Sequence, residues 1–382
     1  MSKVEGRVPD SSSGEKKGNT LRVVIAGGGT GGHIFPAIAI ANAMRRIEPD
    51  TEILFVGAKG KMEMEKVPQA GYQIRGLDIA GFNRSSLIKN IGLPFKLLKS
   101  FGQVRGIFKS FQPDAVVGVG GYSTFPVLRY AQAKGIPTFI HESNSFAGKS
   151  NILLGKKATE IFVATDGMEQ IFPRDRIMVT GNPVRPSIVQ VSAIPKEEAL
   201  QFFGLTPGRK TILVIGGSLG AKSINEAIDK GLDDLMNAGV QLIWQTGKPY
   251  AAKGRERSGG KPGIWVNDFI TQMEKAYAAA DIVVSRAGAM SIAELCVVKK
   301  PVLFVPYPFA AEDHQTVNAM NLVSRNAALM VKDSEAVDKV VPTVISLANN
   351  EQQQTELKNN IGRYAIVNAD EMIAKEIFKR TV

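Results

Sequence analysis

The chain has 382 residues, of which 44% are hydrophobic and 22% are charged, and its formal net charge is +11 at pH 7. This length predicts two or three domains, and no run approaches the roughly 18–20 apolar residues that a membrane-spanning helix needs. The single cysteine, Cys296, cannot form an intrachain disulfide and is expected to be a small core residue in a protein of the reducing cytosol.

Residues 1–20 are predicted to form a disordered tail, because the segment is polar and lacks the apolar centre of a signal peptide. From Leu21 onward, short β-branched runs alternate with helical patterns, which is typical of parallel α/β sheets. The predicted strands are 21–26, 53–57, 115–119, 137–141 and 161–164, followed by 211–215, 241–246, 264–266, 282–285 and 302–305. The predicted helices include 34–47, 126–134, 222–236 and 291–298, and residues 255–261 are predicted to form a surface loop.

The two halves of the chain begin in the same way. The strand Leu21–Ala26 is followed by Gly27-Gly-Gly-Thr-Gly-Gly32 and a helix, and the strand Thr211–Ile215 is followed by Gly216-Gly-Ser-Leu-Gly220 and a helix. A strand, glycine loop and helix used twice predicts two doubly wound domains with facing carboxyl-terminal strand edges. The prolines of 181–186 suit a hinge between these domains.

Basic and apolar residues are interleaved in the stretch from Gly71 to Ser110. The pattern fits an anionic membrane surface and also fits an ordinary amphipathic helix with a solvated basic side. No zinc-finger spacing or aromatic RNA-binding strand accompanies it, so no nucleic-acid partner is predicted. Its charged residues are Arg75, Asp78, Arg84, Lys89, Lys96, Lys99, Arg105 and Lys109.

Each glycine loop admits an alternative interpretation. The first matches a dinucleotide fingerprint, but that function needs an acid at the end of the second strand, and Phe55–Lys59 contains none. The second matches the nucleophile elbow of a serine hydrolase, with Ser218, Asp281 and His314 in the required order. Because the first loop has no matching serine, a shared phosphate-binding role is favoured over both alternatives.

The chain has only three histidines, His33, His141 and His314, and each lies just after a predicted strand or in the loop beyond it. Ligands of α/β sheets bind at that edge, and His33 is placed to act as a base near neutral pH. Their spacing resembles no metal site, so no metal is predicted.

Glu294 is predicted to lie about one turn into a helix that begins near Ala289. There it is either a surface acid favoured by the helix dipole or an acceptor for two ribose hydroxyls. The small residues of Ser285–Ser291 would let a diphosphate settle on the N-terminus of that helix.

Six short motifs, taken together in their order along the chain, resemble those of the MurG family, the undecaprenyl-diphospho-muramoylpentapeptide N-acetylglucosaminyltransferases of peptidoglycan synthesis. The resemblance runs from about Leu21 to the C-terminus. The family usually has two adjacent glutamines where this chain has His314-Gln315, and commonly glutamine where it has Ser143. The motifs are Gly28–His33, Gly120–Tyr122, His141–Asn144, Gly181–Arg185, Gly216–Ala221 and Ser285–Glu294.

The resemblance implies a GT-B fold, in which two Rossmann-like domains face each other across a cleft. Residues 21–184 would form the acceptor and membrane-facing domain, residues 185–361 the UDP-sugar domain, and a helix at about 362–382 would cross back to the first. The implied reaction is inverting transfer of N-acetylglucosamine from UDP-N-acetylglucosamine to the C4 hydroxyl of the muramoyl sugar of lipid I, giving lipid II. The enzyme would need no cofactor and would bind an anionic membrane surface peripherally, on its cytoplasmic face.

The resemblance also implies roles for particular residues. Thr30, Gly31 and Gly32 would face the donor and bind the acceptor diphosphate, while His33 is the candidate base and Glu142 the second candidate. Two alternatives remain open: a UDP-sugar transferase with another acceptor, and a non-catalytic nucleotide-sugar-binding module. The implied donor contacts are Ile270 to uracil, Glu294 to ribose, Gln315 to the sugar, Arg185 and Asn144 from the hinge side, and Ser218, Ala289, Met290, Ser291, Ile292 and Ala293 to the diphosphate.

Overall fold

The computed structural model describes residues 20–79, 93–217, 219–310 and 313–381. These residues form two parallel sheets, with strand orders β3-β2-β1-β4-β5-β6-β7 and β10-β9-β8-β11-β12-β13. The strands are β1 (Arg22–Ala26), β2 (Glu52–Ala58), β3 (Gln73–Leu77), β4 (Ala115–Gly118), β5 (Thr138–Glu142), β6 (Glu160–Val163), β7 (Ile177–Val179), β8 (Thr211–Ile215), β9 (Gln241–Gln245), β10 (Ile264–Asn267), β11 (Ile282–Ser285), β12 (Val302–Phe304) and β13 (Leu329–Met330).

Helices cover both faces of each sheet. In β1, Val23 and Ile25 belong to one core while Val24 and Ala26 belong to another, which is why the strand has an unbroken apolar sequence. The helices are α1 (Gly31–Ile47), α2 (Glu63–Gln69), α3 (Leu93–Phe111), α4 (Thr124–Ala133), α5 (Lys149–Gly155), α6 (Pro186–Val189), α7 (Lys196–Phe202), α8 (Lys222–Lys230), α9 (Leu232–Asn237), α10 (Ala251–Ser258), α11 (Met273–Ala279), α12 (Ala289–Val298), α13 (His314–Val323), α14 (Ala336–Ala348), α15 (Glu351–Gly362) and α16 (Ala369–Thr381).

The architecture confirms the predicted fold class of two Rossmann-like α/β units, while some local predictions were wrong. The segment 255–261 is not wholly a loop, because its first four residues belong to α10. The predicted helix 222–236 is divided at Gly231 into α8 and α9, where a Cβ would press against Val341. The predicted tail up to residue 19 lies outside the described residues.

The final helix returns to the first sheet. Helix α16 packs against α1, and its Ile373, Ala374 and Ile377 are fully buried in the core beside β1. Arg380 adds an ion pair with Glu160 at 3.0 Å. The last residues of the chain therefore help to complete the core of the first unit. Within the described ranges, no helix is both long enough and apolar enough to span a bilayer.

We expect Ile377→Ala to lower the free energy of unfolding by about 2–5 kcal/mol, the usual cost of truncating a buried isoleucine. Denaturant titration of the full chain measures this value. Lys379→Ala, at an exposed position of the same helix, is the control and should change stability by less than about 0.5 kcal/mol. Equal stability of the two variants would contradict the packing of α16 in this core.

Candidate functional site

Those predicted site residues that the structure describes lie where the carboxyl-terminal edges of the two sheets meet. The Ser145 N–H donates to Asn318 Oδ1 at 2.8 Å, and Asn318 Nδ2 donates to Asn144 Oδ1 at 3.3 Å. On the hinge, Asn182 Nδ2 lies 3.4 Å from the Ala289 carbonyl oxygen. The loop after β5 and the hinge therefore contact α13 and the start of α12, which places the two halves of the candidate site side by side.

Two glycine turns pack directly on one another in the first unit. The Gly28 N–H donates to the Gly120 carbonyl at 3.1 Å. Gly120 and Gly121 have φ angles of +95° and +93°, a region that side chains disfavour. A Cβ on Gly121 would also collide with the Gly28 backbone, and one on Gly120 would meet the His33 ring. Both positions therefore require glycine.

The His33 ring is held in one tautomer by this packing. Its Nδ1 lies 3.1 Å from the Gly28 carbonyl oxygen and 3.4 Å from Thr30 Oγ1. A carbonyl can only accept, so the bond to Gly28 assigns the proton to Nδ1 and leaves Nε2 with a free lone pair. The half-buried imidazole can therefore accept a proton at Nε2.

His141 has a different role from His33. Its side chain is fully buried, its Nε2 lies 3.4 Å from the Gly181 carbonyl oxygen, and its Nδ1 lies 3.4 Å from Ser143 Oγ. Burial lowers the pKa of His141 to about 4, so the ring is neutral near pH 7. These contacts fasten the end of β5 to the hinge.

Glu142, the second candidate base, is occupied by its own loop. Its Oε1 accepts from the Asn144 N–H and Asn144 Nδ2 at 3.1 and 3.3 Å. Its Oε2 accepts from the Gly148 N–H and from Asn151 Nδ2 at 3.2 and 2.8 Å. Four donors fill the acceptor capacity of a carboxylate. The geometry therefore disfavours Glu142 as a base and favours a role in shaping the loop that carries Asn144.

Glu294 and Arg185, two predicted donor-binding residues, contact each other. Arg185 donates from Nε and Nη2 to Glu294 Oε1 at 2.9 and 2.8 Å, and the Tyr277 hydroxyl lies 3.1 Å from Oε2. Glu294 is only 8% exposed. Burial raises the pKa of this carboxyl above its ordinary value, against the opposing effect of Arg185 and Tyr277.

The start of α12 provides unblocked backbone N–H groups at the cleft. Gly288 precedes the helix in an extended conformation, and neither a side-chain cap nor an acidic residue of the first turn competes for those groups. Residues 289–293 are all partly exposed. A helix N-terminus of this kind attracts anions, so the start of α12 suits a diphosphate.

The remaining predicted residues are less informative. Ile270 is buried, and Gln315 Oε1 accepts the Tyr307 N–H at 2.9 Å. His314 begins α13, one residue before Gln315. Ser218 lies outside the described residues. No cluster of three or more potential metal ligands occurs in the part of the chain that the structure describes.

The geometry excludes the hydrolase alternative. Asp281 accepts from Lys196 Nζ at 2.6 Å and from the Thr211 N–H at 2.9 Å, at the amino-terminal edge of the second sheet. Gly216 and Gly217, the described residues that precede Ser218 in the chain, follow β8 at the opposite edge. Asp281 therefore cannot complete a triad with Ser218 and His314.

Sequence reasoning did not identify three polar residues that support the site. Asn318 lies one turn after Gln315 on α13. This three-residue spacing, which places both side chains on the same helix face, is the signal that could have identified it. Tyr277, on α11, contacts Glu294, on α12, and no sequence pattern predicts that these two side chains meet. The third, Glu63, is fully buried beneath the first glycine loop.

Comparison with known proteins agrees with this architecture. A protein of Phocaeicola vulgatus named UDP-N-acetylglucosamine–N-acetylmuramyl-(pentapeptide) pyrophosphoryl-undecaprenol N-acetylglucosamine transferase is 51% identical over 362 residues, covering 94% of this chain and 96% of the relative. A protein of the same name from Christiangramia forsetii is 48% identical over 359 residues, covering 94% of this chain and 97% of the relative.

Solved structures have the same fold. The crystal structure of Acinetobacter baumannii MurG matches with a TM-score of 0.78 and 29% identity, covering 94% of this chain and 99% of that chain. A UDP-GlcNAc 2-epimerase from Neisseria meningitidis, with a TM-score of 0.65 and 16% identity over 94% of this chain and 100% of that chain, shares the fold alone.

The two sheets correspond to two family domains. Residues 23–163 match the glycosyltransferase family 28 N-terminal domain, and residues 211–377 match the glycosyltransferase family 28 C-terminal domain. The chain therefore belongs to glycosyltransferase family 28.

Proposed function

We propose that this chain transfers N-acetylglucosamine from UDP-N-acetylglucosamine to the C4 hydroxyl of the muramoyl sugar of lipid I, giving lipid II. The observation that carries this proposal is the 51% identity, over nearly the whole chain, to a relative named for that reaction. Turnover of radiolabelled UDP-N-acetylglucosamine with a lipid I analogue tests the proposal. Absence of labelled product, with intact donor binding, would contradict the assigned acceptor.

The second unit provides the donor site in this proposal. The diphosphate binds the N-terminus of α12, and the ribose hydroxyls donate to Glu294. Oε1 of Glu294 already accepts two hydrogen bonds from Arg185, and Oε2 accepts one from Tyr277. A carboxylate has about four acceptor positions, so a second ribose hydroxyl can bind only if Arg185 gives up at least one of its two bonds.

Arg185 is therefore expected to exchange partners when the donor binds. Its side chain is 46% exposed, which gives the guanidinium freedom to move. A guanidinium binds phosphate oxygens in a bidentate manner. In the complex Arg185 contacts the diphosphate while the ribose takes its place on Glu294, so that each charged group keeps a partner.

Transfer then requires a base and a stabilised leaving group. The C4 hydroxyl oxygen attacks the anomeric carbon, the bond from that carbon to the UDP oxygen breaks, and His33 Nε2 accepts the hydroxyl proton. Attack opposite the departing UDP inverts the α-linked donor to a β(1→4) product. The dipole of α12 and the guanidinium of Arg185 stabilise the negative charge that develops on UDP.

A docking surface on the first unit would bring this site to the lipid acceptor. At the start of α3, Phe95 and Leu98 are 75% and 69% exposed, and Lys96 is exposed between them. Large apolar side chains beside a basic residue suit insertion at an anionic interface. We therefore propose that the start of α3 docks peripherally on the cytoplasmic face of the membrane.

Two residues in the stretch from Gly71 to Ser110 are poorly available for docking in the structure. Ile79, an apolar residue of this stretch, is partly buried against the core that contains Val24 and Ala26. Lys99 lies 2.9 Å from Asp78, which also pairs with Lys59 at 2.8 Å. These contacts hold the pKa of Asp78 below its usual range, so the charge of Lys99 is partly neutralised. Phe82, Arg84 and Lys89 lie outside the described residues.

Replacing Glu294 tests the ribose contact. Glu294→Ala should weaken UDP-N-acetylglucosamine binding by about 1.5–3 kcal/mol, the range for hydrogen bonds to a charged group. Calorimetry measures the affinity, and Glu256→Ala, at an exposed position on α10, is the control. Unchanged affinity in a folded Glu294 variant would remove the ribose assignment.

Replacing His33 tests the base. His33→Ala should lower kcat by roughly 10²–10⁴-fold, the usual contribution of a positioned base, with little change in donor affinity. His33→Gln can still donate to the Gly28 carbonyl but cannot act as a base, so it should be equally impaired. Recovery of kcat in the glutamine variant, or a rise in donor KM alone, would identify His33 as a binding residue instead.

Replacing the apolar pair tests membrane docking. Phe95→Ser with Leu98→Ser should weaken binding to anionic vesicles at least tenfold, because burial of one large apolar side chain contributes about 1.5–3 kcal/mol. Turnover of full-length lipid I should fall, while water-soluble acceptors with short chains should react normally. Co-sedimentation with vesicles measures the binding.

A matched pair of charge changes tests whether the basic residue of the docking surface contributes to membrane binding. Lys96→Glu should weaken vesicle binding, while Lys109→Glu, which makes the same charge change at the other end of α3, should have a smaller effect. Equal losses on long-chain and short-chain acceptors would mean that the start of α3 is structural. Unchanged vesicle binding would place the docking surface elsewhere.

A further inference from the structure

Glu63 is a buried carboxylate beneath the first glycine loop. Glu63 lies in the first turn of α2 and is only 1% exposed. Its Oε2 accepts the Gly29 N–H at 2.8 Å, and its Oε1 accepts the Ala58 N–H at 2.9 Å. The side chain therefore ties the loop that follows β1 to the end of β2.

No space remains for a side chain at the glycines that pack against this carboxylate. A Cβ added at Gly28 would collide with the Glu63 carboxyl group, and one added at Gly57 would collide with Glu63 Cγ. On the other side of the loop, Gly121 lies against Gly28. The loop is thus clamped between the carboxylate and the glycine turn after β4.

One rigid peptide group connects Glu63 to His33. The N–H that donates to Glu63 belongs to Gly29, and the carbonyl that accepts from His33 Nδ1 belongs to Gly28. These two groups are the ends of the same planar peptide unit, which cannot turn one end without the other. A carboxylate on the N–H also polarises the amide and strengthens its carbonyl as an acceptor.

We propose that Glu63 is a positioning residue that acts on His33 through the Gly28–Gly29 peptide. By fixing the direction of the Gly28 carbonyl, it keeps the proton on His33 Nδ1 and leaves Nε2 free to accept the proton of the acceptor hydroxyl. This inference rests on the proposed role of His33 as the base. Glu63 acts from beneath the loop, where it is buried, and is not itself a catalytic residue.

Glutamine at this position is the informative replacement. Glu63→Gln preserves size, but one end of its amide is an NH₂ group, which cannot accept from a backbone N–H. It therefore loses one of the two bonds, at Gly29 or at Ala58. Glu65→Gln is the matched control, since Glu65 lies on the same helix with a 66% exposed side chain paired to Lys66.

The first readout is the tautomer of each imidazole, from ¹⁵N NMR of the whole protein. With only three histidines in the chain, the His33→Gln and His314→Gln variants complete the assignment. In the wild type, His33 is expected as the Nδ1–H form and His141, whose Nε2 faces the Gly181 carbonyl, as the opposite form. Glu63→Gln should mix the tautomers of His33 and leave His141 unchanged, while Glu65→Gln should change neither.

The second readout is turnover. Because a positioned base contributes roughly 10²–10⁴-fold, partial misplacement should lower kcat about tenfold or more, with donor KM unchanged. Glu63→Asp, which keeps two acceptor oxygens on a shorter chain, should recover part of the loss. Glu63→Ala removes both bonds, so unchanged kcat and an unchanged His33 tautomer in that variant would overturn the proposal, even with a lower Tm.

The outcomes separate this inference from the proposed function. Full activity of His33→Gln would reject the base, whereas a tautomer shift at His33 in Glu63→Gln would still support the coupling through the peptide. A wild-type His33 in the Nε2–H form would overturn the coupling whatever the kinetics, and this measurement does not depend on any Glu63 variant folding.

Discussion

The close contact between the Gly28 and Gly120 backbones is the constraint on which the first half of the site depends. The 3.1 Å bond from the Gly28 N–H to the Gly120 carbonyl brings two loops from adjacent strands closer than side chains would permit. The His33 ring lies against Gly120 and donates to the carbonyl of Gly28. The contact therefore sets both the position of the imidazole and the direction of its acceptor.

The first glycine loop and the start of α12 differ in the backbone N–H groups that they leave open to an anion. In the first unit, the Gly29 N–H is occupied by the buried carboxylate of Glu63, so this group is not free to bind phosphate. In the second unit, the first turn of α12 has neither an acid nor a capping side chain, and its dipole is open to an anion. Helix α1, which follows the first loop, likewise begins with neither an acid nor a capping side chain, so each unit offers a helix N-terminus to an anion, and the first unit differs in the carboxylate that occupies its loop.

The sequence was sufficient to predict the buried strands, because a strand covered on both faces has a continuous apolar run. Strands β3, β7 and β13 were missed; they lie at sheet edges and are short or only partly buried, whereas β10, also at an edge, was predicted. Helix and loop chemistry gave the start of α12 as a possible diphosphate site and left two roles open for Glu294, while the individual donor contacts were implied by the family resemblance. The environments of Glu63 and Glu142 could not be predicted, because their partners are backbone N–H groups and amides whose positions depend on the folded loops.

The pair formed by Arg185 and Glu294 links the hinge to the donor site. Arg185 lies within the predicted hinge segment 181–186, and Glu294 lies within α12, so their bond holds this segment against the helix that is proposed to bind the diphosphate. Burial of a carboxylate without a partner costs free energy. Arg185 is therefore expected to stay bonded to Glu294 until ribose hydroxyls replace the guanidinium. Donor binding would then release Arg185 and place a positive charge beside the leaving group. In the proposed mechanism, the same exchange that accommodates the nucleotide would supply the charge that the reaction needs.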